Sequence, residues 1–234
     1  MGVHDRYGQD ESGPLFRDRI DAGRVLAERL EAFRGQGTVV LGIPRGGVPV
    51  AAEVARRLDA RLDVIVARKL PAPRSPEFAI GAVTANGGRY LNEDALRAAG
   101  VSQPYLDAII ATEMAEARDR EQHYRSLGPA VPLAGQVVVI VDDGLATGAT
   151  MRAAARSVRQ HGPARLVLAA PVGSAEACDA LREEADEVIC PHRPRAFGAV
   201  GFYYEYFEPT EDVQVRGLLD EARERAAGVA LGSR

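Results

Sequence analysis

Two adjacent carboxylates, Asp142 and Asp143, follow a run of five valine and isoleucine residues and precede a turn rich in glycine and threonine. No polar residue alternates along the run, which predicts a strand buried on both faces. Helical spacing follows at 151–159, so Thr147, Thr150 and free backbone N–H groups are expected at a helix N-terminus that can bind phosphate. The two carboxylates only accept hydrogen bonds, which suits vicinal hydroxyls or a cation shared with the ligand. The segment predicts a pocket for a phosphorylated, hydroxylated molecule.

The spacing of residues in this turn and the position of the Asp pair in the chain exclude three other kinds of site. A Walker A loop has Lys after its last glycine, whereas Ala149 follows Gly148 here. The glycines of the turn do not match the G-x-G-x-x-G fingerprint of dinucleotide-binding folds. A phosphoacceptor receiver domain begins with its Asp pair, and this pair lies past the middle of the chain. The remaining alternative is an ordinary strand–turn–helix connection with a solvated Asp pair.

The run from Val139 to Thr150 resembles the phosphoribosyl pyrophosphate (PRPP) loop of type I phosphoribosyltransferases. In that family the acid pair binds the ribose 2′ and 3′ hydroxyls, which implies this role for Asp142 and Asp143. The following loop cradles the 5′-phosphate, and by position this role falls to Gly144, Ala146, Thr147, Gly148, Ala149 and Thr150. The 6-oxopurine branch has a further Asp at the position of Ala146. The loop is therefore closer to adenine-type members and to members of unassigned substrate.

A second glycine-rich turn, with Arg45, Gly46 and Gly47, follows a predicted buried strand at 38–43. Both turns come after strands, at the edge of the sheet where open α/β folds bind ligands. Consecutive glycines let backbone N–H groups approach an anion, and the Arg45 guanidinium can hold phosphate with two donors. The resemblance implies that this turn is the pyrophosphate loop. The alternative is a tight strand–helix turn with Arg45 in solvent.

Arg68 and Lys69 are predicted to end a second strand, at 62–67, and to begin a mobile loop at 68–78. Three prolines in that loop disfavour both a helix and a paired strand. Transfer from PRPP builds negative charge on pyrophosphate, so cations and Mg²⁺ beside the leaving group would lower the barrier. Loop closure would exclude water. The resemblance implies these roles for Lys69 and Arg68, while Arg74 is explained equally well as surface charge.

Six aromatic residues lie at 197–207, close to half of the Phe and Tyr residues of the chain. In the family a variable hood above the sheet edge selects the nucleophile, and an aromatic side chain there can stack on a flat base. Aromatic clusters more often serve packing. We therefore take only Phe197 and Tyr203 as candidates for contact with a base.

The remaining elements predict the fold. Strands are expected at 38–43, 62–67, 137–141, 165–170 and 187–190, and helices at 16–33, 48–58, 151–159 and 175–185. This alternation predicts an α/β fold with a doubly wound, mainly parallel sheet and right-handed crossovers. An Asn-Gly-Gly turn predicts a hairpin at 79–91, and a long charged helix at 102–126 receives no chemical role. We expect a flexible arm at 1–14, a core at 15–190 and, within the same domain, a hood with a helix at 191–226.

Composition narrows the class of protein further. A chain of 234 residues with 46% hydrophobic residues can bury one full core, which favours one domain. A net charge of −4 disfavours nucleic acid or an anionic membrane as partner. No apolar run is long enough to span a bilayer. Cys178 and Cys190 lack C-x-x-C spacing, and two cysteines without a disulfide framework fit a reducing cytoplasm.

Together the residues and the resemblance predict a Mg²⁺-dependent phosphoribosyltransferase, a pentosyltransferase of nucleotide and nucleoside metabolism. Its substrates would be PRPP and a nitrogen nucleophile, either a nucleobase or a related amine, and its products a nucleotide and pyrophosphate. Catalytic roles are expected for Arg45, Lys69, Asp142 and Asp143. The two aspartates would hold the metal weakly or indirectly, because PRPP itself would carry it. A homo-oligomer is compatible with the sequence. The alternative is a PRPP-sensing regulatory protein without significant turnover.

Overall fold

The computed structural model describes residues 13–125 and 128–232. Most of the predicted N-terminal arm therefore lies outside the described residues. The strands are β1 (Val39–Gly42), β2 (Arg61–Val64), β3 (Ala67–Ala72), β4 (Ser75–Thr84), β5 (Arg89–Leu91), β6 (Val137–Val141), β7 (Arg165–Ala169) and β8 (Glu187–Ile189). The α-helices are α1 (Arg19–Arg29), α2 (Gly47–Leu58), α3 (Glu93–Ala98), α4 (Gln103–Tyr124), α5 (Ala149–Arg159), α6 (Ala175–Ala180) and α7 (Asp212–Gly232).

A parallel five-stranded sheet in the order β2-β1-β6-β7-β8 forms the centre of the molecule. Its middle strand β6 has Val138, Val139, Ile140 and Val141 fully buried. Val139 and Val141 pack in the cluster that contains residues of α2 and α7, whereas Val138 and Ile140 pack with residues of α5 and α6. The β-branched run is therefore covered on both faces, and the predicted doubly wound α/β fold is confirmed.

The prediction that residues 68–78 form a loop without a paired strand is wrong. That segment forms β3 and the start of β4, which join β5 in a separate antiparallel sheet of three strands. Register shifts on both sides of Pro71 accommodate its missing N–H group, as bulges commonly do. Leu70, Ile80 and Val83 are fully buried and pack with Leu106 of α4. This burial against a distant helix outweighs the local effect of the prolines.

Two other boundaries differ from the sequence prediction. The second core strand ends at Val64, so Arg68 and Lys69 lie within the hairpin and do not end a core strand. The first helix begins at Arg19 because the Asp18 side chain accepts from the backbone N–H of Asp21 and caps it. The predicted hairpin at 79–91 is confirmed by β4 and β5.

Among the described residues, no helix combines the length and the apolarity that crossing a lipid bilayer requires.

Candidate functional site

The loop after β6, residues 142–150, is called the Asp-Asp loop here. The backbone N–H of Asp142 donates to the Ala169 carbonyl oxygen at 3.2 Å, so the loop leaves the sheet beside the end of β7. The backbone N–H of Asp143 donates to Asp142 Oδ1 at 2.9 Å. Further along, the Leu145 N–H donates to the Val172 carbonyl at 3.0 Å. These bonds fix both carboxylates at the carboxyl edge of the sheet.

The second half of this loop leads into the N-terminus of α5. Gly148 has a φ of 72°, a left-handed conformation that glycine adopts without strain, and α5 begins at the next residue. No side chain caps the helix at Gly148. The first N–H groups of α5 are therefore available to an anion, and the helix dipole favours negative charge there. Thr147 is exposed and Thr150 is partly buried at this end.

The second glycine-rich turn, residues 44–47, is called the Gly-Gly turn, and it touches the Asp-Asp loop directly. A Cβ atom on Gly46 would lie 2.0 Å from Asp143 Oδ2, and one on Gly47 would lie 2.7 Å from the Val141 carbonyl oxygen. Such distances are shorter than any real contact, so only glycine permits this approach. The Pro44–Arg45 peptide bond is cis, and the Arg45 side chain is exposed. The predicted convergence of the two loops is therefore present.

A residue that sequence reasoning missed completes this contact. Arg19, at the start of α1, donates from Nε to Asp143 Oδ2 at 2.8 Å, and their side chains are 12% and 15% exposed. The same Nε atom would lie 3.0 Å from a Cβ on Gly46. Arg19 and Asp143 are 124 residues apart in the chain, and no local pattern predicts their pairing.

The surroundings of Asp142 disfavour the charged form of its carboxylate. Burial raises the pKa of Asp142 well above its ordinary value, and the negative charge of Asp143 adds to this effect. Arg19 lowers the pKa of Asp142 by a smaller amount. The site therefore holds a carboxylate that is costly to ionise in the free protein. Ligand donors that bind the ionised form would offset this cost.

Beside the Gly-Gly turn lies a cavity of about 360 Å³ whose lining includes Pro44, Arg68, Lys69 and Arg120. Arg68 is engaged, because its Nε donates to a carboxylate oxygen of Glu113 at 2.6 Å. Lys69 is exposed. We call Arg68, Lys69 and Arg120 the basic depression, and its charge suits a pyrophosphate group.

The basic depression differs from the sequence prediction in two residues. Arg120 belongs to α4, the helix that received no chemical role from the sequence. Arg74 lines a different cavity, with Phe78 and Arg97. Its charge is therefore not part of the basic depression.

The aromatic segment lies directly on the Asp-Asp loop. A Cβ atom on Gly144 would lie 2.5 Å from Cγ1 of Val200, so this part of the hood packs against the residue after the Asp pair. Phe197 and Tyr203 stack on each other with ring centroids 5.3 Å apart. Tyr203 is only 6% exposed and packs with Phe16 and other apolar residues. Its contact with a base stays a prediction, and its observed role is packing.

Within the described ranges, no three His, Cys, Asp or Glu side chains are grouped so that they could hold a metal ion. The Asp-Asp loop offers two carboxylates, and Asp143 already accepts from Arg19. Carboxylate oxygens are ligands that Mg²⁺ accepts, and it usually keeps other ligands from substrate phosphates and water. The donor set therefore fits Mg²⁺ that arrives on a polyphosphate substrate.

A parallel sheet with an Asp-Asp loop, a free helix N-terminus and a Gly-Gly turn at one edge defines a phosphoribosyltransferase-type protein. The chain belongs to the phosphoribosyl transferase family, whose domain model matches residues 17–206.

Individual relatives agree with the family assignment. Proteins of two Mycobacterium tuberculosis strains, each named "Putative phosphoribosyl transferase", are 46% identical over 208 residues, or 89% of this chain. The match covers 47% of those proteins, so the chain spans about half their length. The crystal structure of TT1426 from Thermus thermophilus is 47% identical, with a TM-score of 0.75. That alignment covers 88% of this chain and 98% of TT1426.

Proposed function

We propose that the protein transfers the 5-phosphoribosyl group of PRPP to a nitrogen of a nucleobase or related amine, with release of pyrophosphate. The observation that carries this proposal is the direct contact between the Gly-Gly turn and the Asp-Asp loop at Gly46 and Asp143. This contact supports our proposal that acceptors for a diol, an anion-binding helix N-terminus and the basic depression serve one ligand. PRPP has the three matching groups: two ribose hydroxyls, a 5′-phosphate and a pyrophosphate.

In the proposed reaction, Asp142 and Asp143 accept hydrogen bonds from the ribose hydroxyls, and the N-terminus of α5 holds the 5′-phosphate. In this proposal Lys69 of the basic depression and Arg45 of the Gly-Gly turn bind the pyrophosphate, where negative charge grows as the bond to C1 breaks. Bound Mg²⁺ supplies further positive charge to the leaving pyrophosphate. Lys69 and Arg45 thus act where the transition state differs most from bound PRPP.

The nucleophile would approach from the side of the hood. Ala146 is exposed there, and Ser174 Oγ donates to its carbonyl oxygen at 2.9 Å. Ala146 offers no carboxylate as a base, so we propose a nucleophile that needs none at that position. Phe197 remains our candidate for stacking on the base. We propose the cytoplasm as the place of action, because the buried thiols of Cys178 and Cys190 are free.

Titration calorimetry with PRPP, pyrophosphate and ribose 5-phosphate in the presence of Mg²⁺ tests the proposed site. We expect PRPP to bind more tightly than either part, since it fills both the Asp-Asp loop and the basic depression. Competition between PRPP and each part is also expected. Absence of PRPP binding, or binding that neither part displaces, would contradict the proposed site.

Lys69→Ala is expected to lower kcat by about 100-fold and to weaken PRPP binding by less than about threefold. The reason is that Lys69 would stabilise charge that develops on the leaving group in the transition state. The measurement is pyrophosphate release with the accepted nucleophile, beside PRPP calorimetry. Arg74→Ala is the matched control, because it removes a nearby cation that lines a different cavity. Equal losses of kcat and affinity in Lys69→Ala would contradict a role in the transition state.

A further inference from the structure

Arg19 makes three contacts that together fix the orientation of its guanidinium group. Nε donates to Asp143 Oδ2 at 2.8 Å, and Nη1 donates to the carbonyl oxygen of Glu208 at 2.7 Å. The guanidinium carbon lies 3.9 Å from the ring centroid of Phe207. A planar guanidinium can make such bonds and a stacking contact at the same time, which an ammonium group cannot. Arg19 thereby joins the Asp-Asp loop to the hood.

The part of the aromatic segment that precedes Glu208 is held to the residues just before α1 as well. The backbone N–H groups of Leu15 and Phe16 donate to the Tyr203 carbonyl oxygen at 2.9 and 3.0 Å. The Glu205 N–H donates to the Phe16 carbonyl at 2.9 Å. The acceptor at Glu208 therefore belongs to a segment with its own fixed position. The Glu208 carbonyl oxygen therefore gives Arg19 a second fixed acceptor besides Asp143.

Asp143 is held at two points. Arg19 engages Oδ2 of its side chain, and the hydroxyl of Tyr204 donates to its backbone carbonyl at 2.6 Å. The bond to Oδ2 leaves Oδ1 to accept from a ligand. The nearby carboxylate of Asp142 repels negative charge on Asp143, and the positive charge of Arg19 offsets that repulsion. The Arg19 contact thus fixes the orientation of the Asp143 carboxylate.

We propose that Arg19 is a positioning residue for the ribose hydroxyls of PRPP, acting through the Asp143 carboxylate. This inference rests on the proposed function, since it takes PRPP as the ligand. Arg19 itself need not touch the sugar. Its effect would reach the ligand through the hydroxyl group that Asp143 binds, whereas the proposed site of the 5′-phosphate is the N-terminus of α5.

A purely structural role would give a different pattern. If Arg19 only fastened α1 to the hood, its loss would weaken every ligand of the site to the same degree. If it positions Asp143, its loss weakens only ligands that offer the hydroxyl bound there. Ribose 5-phosphate and its 2-deoxy and 3-deoxy analogues separate these two cases, because they share the phosphate and differ by one hydroxyl group.

The experiment is calorimetry of these three sugar phosphates with the wild-type chain and with Arg19→Gln. We expect the wild type to prefer ribose 5-phosphate over at least one deoxy analogue by about tenfold, the usual effect of a charge-assisted hydrogen bond. In Arg19→Gln that preference should fall to about twofold or less, with binding of the same deoxy analogue nearly unchanged. An unchanged preference, with all three affinities lowered equally, would overturn the positioning role.

Two further variants keep the test decisive. Arg24→Gln removes an arginine from the same helix, where it is 64% exposed and pairs with Glu53, and it should leave the preference unchanged. If Arg19→Gln does not fold, Arg19→Lys gives the same test, because an ammonium group cannot reproduce both bonds. Its preference should fall by about threefold or more, and an unchanged preference would again overturn the inference. A wild-type chain that binds neither PRPP nor ribose 5-phosphate would overturn the proposed function itself.

Discussion

Asp142→Asn should abolish measurable PRPP binding and yet stabilise the free protein. Binding fails because the amide replaces an ionised acceptor of the ribose hydroxyls. Stability rises because burial and the charge of Asp143 make ionisation of Asp142 unfavourable, and the amide carries no charge. The amide oxygen can still accept from the Asp143 N–H, which donates to Asp142 Oδ1. We expect a gain of about 1 kcal/mol, or about 2–4 °C in melting temperature.

Asp143→Asn should show the opposite change in stability. It also loses PRPP binding, but it leaves the guanidinium of Arg19, with a side chain only 12% exposed, without its carboxylate partner. Loss of one partner of a partly buried ion pair should cost about 1–3 kcal/mol. Calorimetry and thermal unfolding of both variants check this contrast. Undiminished PRPP binding by the variant that carries both substitutions would contradict the site assignment.

The difference in stability between Asp142→Asn and the wild type should also depend on pH in a defined direction. The folded-state pKa of Asp142 lies above its unfolded value, so the folded chain binds more protons between these two values. The contribution of Asp142 to stability therefore falls as pH rises through that interval. The advantage of Asp142→Asn should grow with pH over the same interval and then stay constant. An advantage that shrinks as pH rises would contradict the cause given for the raised pKa.

Gly47→Ala should produce the second large effect. Its new Cβ atom would lie 2.7 Å from the Val141 carbonyl oxygen and 2.9 Å from the Asp142 Cα atom. Both are backbone atoms, so the Gly-Gly turn or the Asp-Asp loop must move. We expect a loss of about 2–3 kcal/mol in the free energy of unfolding. We also expect a loss of about 100-fold in PRPP affinity, because the two loops no longer meet correctly.

Gly217→Ala is the matched control for this change. Gly217 lies in α7, and no heavy atom lies within 4 Å of the position of a new Cβ atom. Alanine should stabilise this helix by about 0.5–1 kcal/mol. Helix propensity alone would predict stabilisation at Gly47 too, since it is the first residue of α2. Stabilisation of both variants, measured by denaturant unfolding, would contradict the close contact between the two loops.

Features with a local cause could be predicted from the sequence. The β-branched run of β6 predicts a buried strand, because a strand that is covered on both faces is apolar along its length. The Asp-Asp loop and the Gly-Gly turn each come just after such a strand in the sequence. Their meeting at Gly46 also follows, because β1 and β6 pair in parallel and end at the same edge.

Features that depend on distant partners could not be predicted in this way. The prolines of 68–78 locally disfavour a strand, and only burial of Leu70 and Ile80 against α4 explains the hairpin. Arg120 reaches the basic depression because α4 packs on that hairpin. Arg19 meets Asp143 across 124 residues. In each case the cause is tertiary packing, which leaves no periodic pattern in the sequence.

The most direct test of the central claim is pyrophosphate release from PRPP with Mg²⁺ and a panel of purines, pyrimidines and related amines. We predict release that depends on both PRPP and a particular nucleophile, and that is lost in the variant combining Asp142→Asn with Asp143→Asn. Tight PRPP binding without release for any member of the panel would contradict the account. That result would favour a protein that senses PRPP without turning it over.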